Sequence, residues 1–163
     1  MDLQALVDRA TLTDLAYKLA YAEDDRDFES FRALYNDKVH VDLKAHLGGE
    51  PAEVTADQLT ERAREVLCGF TYTQHSVANV LVEVDGNRAF VRANVSAYHH
   101  LTIAPGVEEY CLVRNRWNLR FVKSDGRWLI NRVVIVRDGP VQGNPDLYEI
   151  AAARSAAMAG GKS

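Results

Sequence analysis

Polar and apolar residues follow two different periods along the chain, and the change falls near Phe70. Between Leu3 and Ala22, Leu12, Leu15, Ala16, Leu19 and Ala20 recur at i, i+3, i+4, i+7 and i+8, the apolar stripe of an amphipathic helix. The stripe breaks at Glu23-Asp24-Asp25-Arg26-Asp27, where short carboxylates favour turns and caps. Helical spacing resumes with Phe28, Phe31, Leu34 and Tyr35. Val39 to Leu43 alternates as a half-buried strand, which Gly48-Gly49-Glu50-Pro51 ends. Thr55 followed by Gln58 is a capping box, and it predicts a third helix carrying Leu59, Ala63, Val66 and Leu67.

Beyond Phe70 the period falls to that of a strand. Tyr72–Val84, Arg88–Ile103, Glu108–Lys123 and Arg127–Arg137 are separated by Asp85-Gly86-Asn87, Pro105-Gly106 and Ser124-Asp125-Gly126, which are hairpin turn sequences. Consecutive strands joined by tight turns predict an antiparallel meander. Helices first and a long sheet afterwards imply an α+β domain over residues 1–140, with the N-terminal helices packed on one face of a curved antiparallel sheet. Residues 141–163 read as a tail, in which the alanine-rich Ile150–Met158 forms a short helix that frays at Gly160-Gly161.

Strand faces indicate where a cavity lies. On the second long strand Ala89, Val91, Ala93, Val95, Ala97, His99 and Leu101 share one side, and on the third Cys111, Val113, Asn115, Trp117, Leu119 and Phe121 do so. Each strand thus aims one polar group, His99 or Asn115, into apolar surroundings. The alanines leave room for a hydrophobic small molecule. The opposite faces carry Arg92, Asn94, Tyr98, Arg114, Arg116 and Arg120.

Composition narrows the function classes. The chain has 163 residues, 47% hydrophobic and 26% charged, and a domain of about this size buries roughly 70% of its unfolded surface, enough for a core with a cavity in it. A net charge of −4 with interspersed signs gives no basic field for nucleic acid. No apolar run approaches the roughly 20 residues of a membrane span. The Met-Asp-Leu start lacks the features of a signal peptide, and Cys68 and Cys111 lack CxxC spacing, so a reducing cytoplasm is expected. His99 and His100 point to opposite faces of a strand and have no accompanying ligand cluster, so no metal is expected. No nucleotide-binding string predicts an organic cofactor.

The helix leading into Ala22-Glu23-Asp24-Asp25-Arg26-Asp27-Phe28, the entry Tyr72-Thr73-Gln74-His75 and the closing hairpin Val122-Lys123-Ser124-Asp125-Gly126-Arg127-Trp128 resemble, in that order, the SnoaL-like family of the NTF2-like superfamily. The resemblance covers about residues 3–137 and implies the cone-shaped pocket of NTF2-like, or cystatin-like, folds. Within the family the pattern is similar to scytalone dehydratase and hexachlorocyclohexane dehydrochlorinase, which eliminate by proton abstraction without a cofactor. Their aspartate–histidine dyad corresponds to Asp24 and His75, and in scytalone dehydratase a second histidine and a polar residue on the third strand resemble His99 and Asn115. Where scytalone dehydratase carries tyrosines, this chain has Glu23 and Leu43. Exposed sheet faces in this family pack against other subunits, which implies a homodimer or homotrimer.

Several of these residues carry competing readings. Asp24 either accepts the Nδ1 proton of His75, leaving Nε2 as a base, or caps the next helix, with Asp25 as the alternative in a shifted register. His99 is a second acid, a substrate-orienting group or a core histidine; Asn115 holds a substrate hydroxyl or carbonyl, or bridges strands. Tyr17 and Tyr21 either point phenols into the cavity or pack at its rim. Trp117 and Phe121 are expected on the pocket wall and Trp128 in the helix-facing core. Two functions follow: a lyase or isomerase on a hydrophobic, cyclic small molecule, with polyketide cyclisation as a variant, or a non-catalytic module that binds an apolar ligand or a partner subunit.

Overall fold

The computed structural model describes residues 3–161. The first helix, α1 (Leu3–Asp24), buries Leu12, Ala16, Leu19 and Ala20 and runs two residues further than the stripe predicts, so that Asp24 is its last residue. Asp27 caps α2 (Phe28–Ala33) by accepting from the Ser30 amide at 3.0 Å. Tyr35 opens the strand β1 (Tyr35–Asp42) instead of closing the second helix. Two short elements absent from the sequence reading follow, α3 (Lys44–Leu47) and β2 (Ala52–Thr55). The capping box forms as expected at α4 (Ala56–Leu67): Thr55 accepts from the Gln58 amide, and the Gln58 side chain accepts from the Thr55 amide.

The long strands are β3 (Tyr72–Asp85), β4 (Arg88–Ala104), β5 (Val107–Ser124) and β6 (Arg127–Arg137). They pair antiparallel in sequence order. The sheet as a whole is mixed, because β1 lies parallel to β6 and antiparallel to β2. Hairpin turns report only the antiparallel part, and β1 arrives from the helical half of the chain, where no turn sequence records its partner. The order is β2-β1-β6-β5-β4-β3, and the open sheet curves over the helices. Register shifts put one extra residue on β3 between Ala78 and Leu81 and one on β6 between Ile130 and Arg132, bulges that bend strands locally.

One core fills the space between α1, α2 and the concave side of the sheet, including Leu12, Phe31, Val91, Leu119 and Trp128. A second lies at the other end of the sheet. There α5 (Leu147–Gly160) packs Leu147 and Ala151, both fully buried, against Phe70, Leu101 and Val113. The tail is therefore helical over a longer span than Ile150–Met158, and its first turns belong to the core. The short strand β7 (Gln142–Gly143) leads into it along β5. No helix among the described residues is long and apolar enough to cross a membrane.

Candidate active site

The end of α1 is tied to the start of β3 by one arginine. Arg26 adopts a left-handed backbone (φ 57°), uncommon for a residue with a Cβ, and its guanidinium repays the strain with four contacts. It donates to the carbonyls of Glu23 (3.1 Å), Asp24 (2.7 Å) and Leu67 (3.0 Å) and to the Thr73 hydroxyl (2.7 Å). These bonds fix Asp24 beside β3. Its Oδ1 accepts from Thr73 at 3.0 Å and faces His75 Nδ1 at 2.7 Å, while Oδ2 accepts the His75 amide at 2.8 Å. Asp27 takes the capping role, and Asp24 pairs with the histidine.

Burial pushes the Asp24 carboxyl up, but the hydrogen bonds from His75 outweigh it and leave the group below its ordinary value. Burial pulls His75 down, and the charges of Glu23 and Asp24 overcome it, so the ring is held above its ordinary value. An ionised carboxylate accepts, so Nδ1 carries a proton and Asp24 fixes that tautomer.

His75, His99, Asn115 and Trp117 share the wall of a cavity of about 300 Å³ whose remaining surface is mostly apolar. Glu23 from α1, His46 from α3 and Tyr148 from α5 line it as well. Burial lowers His99 to about 3 and His46 to about 4. Both rings are neutral at pH 7, so His99 can orient a ligand or share a neutral hydrogen bond, but it is no cationic acid. The Tyr148 hydroxyl lies 3.2 Å from His99 Nε2. Asn115 Oδ1 is buried without a hydrogen-bond partner among the described residues.

Three expected wall residues lie elsewhere. Tyr17 and Tyr21 are 39% and 69% exposed and border a separate crevice between α1 and β3, because they sit off the buried stripe of α1. Phe121 lies in the main core with Leu12, about 13 Å along the strand from Trp117 at a strand's rise per residue. A wider surface groove of about 720 Å³, lined by Lys18, Asp25, Lys123 and Trp128 among others, holds none of the clustered histidines. Trp128 is buried and donates its ring N–H to Asp8 on α1 at 3.0 Å, the helix-facing place expected of it.

Glu23, His46 and Tyr148 were not among the expected site residues. Glu23 had a readable signal: continuing the α1 stripe from Leu12 through Ala16, Leu19 and Ala20 reaches position 23, a carboxylate on an apolar face.

Residues 4–134 match the family model of the SnoaL-like domain. The chain belongs to the SnoaL-like family. Its fold is that of NTF2-like proteins of known structure. The Kfla4162 protein of Kribbella flavida superposes with a TM-score of 0.80 at 23% identity, over 90% of this chain and 98% of that one. A Novosphingobium aromaticivorans protein given as a candidate scytalone dehydratase has a TM-score of 0.73 at 19% identity, over 86% and 89% of the two chains. The hexachlorocyclohexane dehydrochlorinase LinA-type3 of Novosphingobium barchaimii has a TM-score of 0.71 at 17% identity, over 89% and 95%. Identities this low carry the fold alone. No curated protein matches the SnoaL-like chain by sequence.

Proposed function

We propose that this SnoaL-like protein is a lyase or isomerase that needs no cofactor and acts on a hydrophobic, cyclic small molecule by moving a proton next to an activating group. The observation that carries this reading is the 2.7 Å contact between Asp24 Oδ1 and His75 Nδ1 at the wall of an apolar cavity. A carboxylate behind the ring raises its basicity and stabilises the imidazolium that forms when it takes a proton. The cavity of about 300 Å³ is at the small end of ligand sites, which suits one or two fused rings. Similarity in fold to a dehydrochlorinase and a candidate scytalone dehydratase supports elimination as the first reaction to try.

A panel of cyclic hydroxy-ketones and halogenated rings, assayed for loss of water or halide and for double-bond migration, tests the proposal. Replacing His75 by Gln or Asp24 by Asn is expected to lower turnover about 10²–10⁴-fold, the usual contribution of a positioned acid or base. Ligand binding that persists with no turnover in the wild type would convert the reading to a binding module.

A further inference from the structure

A simple dyad leaves His75 Nε2 to meet the substrate alone, and here a second carboxylate stands within ion-pair distance of it. Nε2 faces Glu23 Oε2 at 3.4 Å, while Nδ1 faces Asp24 at 2.7 Å, so one imidazole lies between two carboxylates from consecutive residues of α1. The Glu23 side chain is 18% exposed and borders the cavity; Asp24 stands behind the ring. We propose that Glu23 is a catalytic residue, the group that takes and returns the substrate's proton, with His75 sharing that proton and Asp24 holding the ring. The inference rests on the proton-transfer reading above and replaces the imidazole by a carboxylate as the base at the ligand.

Two arrangements of the three groups carry the same charge. In one, His75 is an imidazolium between two carboxylates; in the other, the Nε2 proton has moved to Glu23, leaving a neutral ring and a carboxylic acid. Moving it between Oε2 and Nε2 therefore changes no net charge in a buried site, and the pair can store a proton cheaply. The groups that bear on Glu23 include His75, which draws it down, Asp24, which pushes it up, and Arg26, whose guanidinium draws it down. Tyr35 on β1 and Tyr148 on α5 face it as neutral phenols, each raised by burial. Burial dominates and holds Glu23 above the ordinary carboxylate value, which brings it closer to the proton affinity that acid–base work near neutral pH requires.

The step balances. Glu23, ionised, takes a proton from the carbon next to the activating group through the oxygen turned from His75. In an elimination the C–H electron pair becomes the new double bond as the bond to a departing hydroxide or halide breaks, the leaving anion carries off that bond's pair, and Glu23 gives its proton to the hydroxide or, where halide leaves, to solvent. In an isomerisation no group departs: the C–H pair is held as an enolate on the activating group until Glu23 returns the proton to a second carbon, and in either case the three groups are as they began.

Exchange of an α-proton requires no knowledge of the natural substrate. The probe is 2-tetralone in deuterium oxide, followed by proton NMR, with imidazole ¹⁵N spectra of the same samples across pH. Glu23→Gln keeps the shape of the side chain and is expected to slow protein-catalysed exchange by about 100-fold or more, and to lower the pKa of His75. If His75→Asn abolishes exchange while Glu23→Gln stays within about threefold of wild type, the imidazole is the base; the inference then falls and the proposed function stands. If the wild type exchanges no faster than buffer and the His75 spectra are identical in Glu23→Gln, the shared proton and the proton-transfer function fall together. Glu23→Asp, which keeps the charge on a shorter stem, separates lost chemistry from lost packing: partial recovery of exchange supports the carboxylate's role, and no recovery with an intact fold opposes it.

Discussion

Three donors converge on the Asp24 carboxylate, the His75 ring, the His75 amide and the Thr73 hydroxyl, and this arrangement makes stability depend on pH in a stated direction. Asp24 is held below its ordinary value, so its contribution is present above about pH 4 and fades as pH falls through the folded value. His75 is held above its ordinary value, so its contribution is complete below about pH 6.5 and fades as pH rises through the folded value. The stability difference between wild type and Asp24→Asn should therefore be widest from about pH 4 to about pH 6.5 and shrink on either side. Urea unfolding in acid, mildly acidic and alkaline buffer measures it, and a difference that stays flat across all three refutes the coupling. Glu23 has the opposite sign. A buried carboxyl held above its ordinary value binds its proton more tightly when folded, so it costs stability increasingly above about pH 4.3. Glu23→Gln should melt higher than wild type in neutral and alkaline buffer, and a lower melting temperature there would show that the charge is compensated.

At the level of elements, much of the site could be read from two periods. The alternation on β4 and β5 put His99, Asn115 and Trp117 on one concave face, and the structure places all three on the cavity. The helical period failed at its ends. Stopping α1 at Ala22 removed Glu23 from the buried stripe on which Leu12, Ala16 and Leu19 lie, and the same stripe would have excluded Tyr17 and Tyr21, which point off it. Elements α3 and β2 have only four residues each, too few to show any period, so His46 had no context. The Ala-rich α5 has small residues on all sides, and only Leu147 with Ala151 one turn later marks its buried face. What docks that helix is Gly69, where an added Cβ would fall on the backbone of Ala151. Gly69→Ala should push α5 outward, cost about 1–3 kcal/mol in denaturant unfolding, and shift the ring signals of His99 against Tyr148. By contrast Thr55→Ala, which removes half of the α4 capping box, should cost about 1 kcal/mol and leave those signals in place. Equal effects on the His99 ring from both substitutions would mean that α5 is not the element that closes the cavity.

For the molecule as a whole, the concave side of the sheet is occupied by helices and cavity, and among the described residues no helix covers the convex side. Its outward residues include Arg92, Arg114 and Arg120, while Tyr72, Tyr98 and Tyr110 form an aromatic row at one end, with Tyr98 and Tyr110 stacked at 5.9 Å. We propose this face as the contact between copies in a homodimer or homotrimer. Four strands at about 4.8 Å spacing and about 35 Å of common length offer on the order of 700 Å² per copy, close to the roughly 800 Å² per partner of a stable interface. The arginines limit how such a contact can form, since two copies placed directly face to face would oppose like charges; the aromatic row must carry the centre, with the arginines turned to the rim or to carboxylates, as Arg116 already is to Asp138 at 3.0 Å. Light scattering should then give a mass of two or three times 18.2 kDa, insensitive to moderate salt because apolar contact dominates. Tyr98→Glu combined with Leu112→Glu, at the position paired with Tyr98 across β4 and β5, should yield a folded monomer with an unchanged circular dichroism spectrum. A wild type that is already monomeric at micromolar concentration would mean that the convex face is solvated, and that the cavity, the carboxylates and the histidine must do their work within one chain.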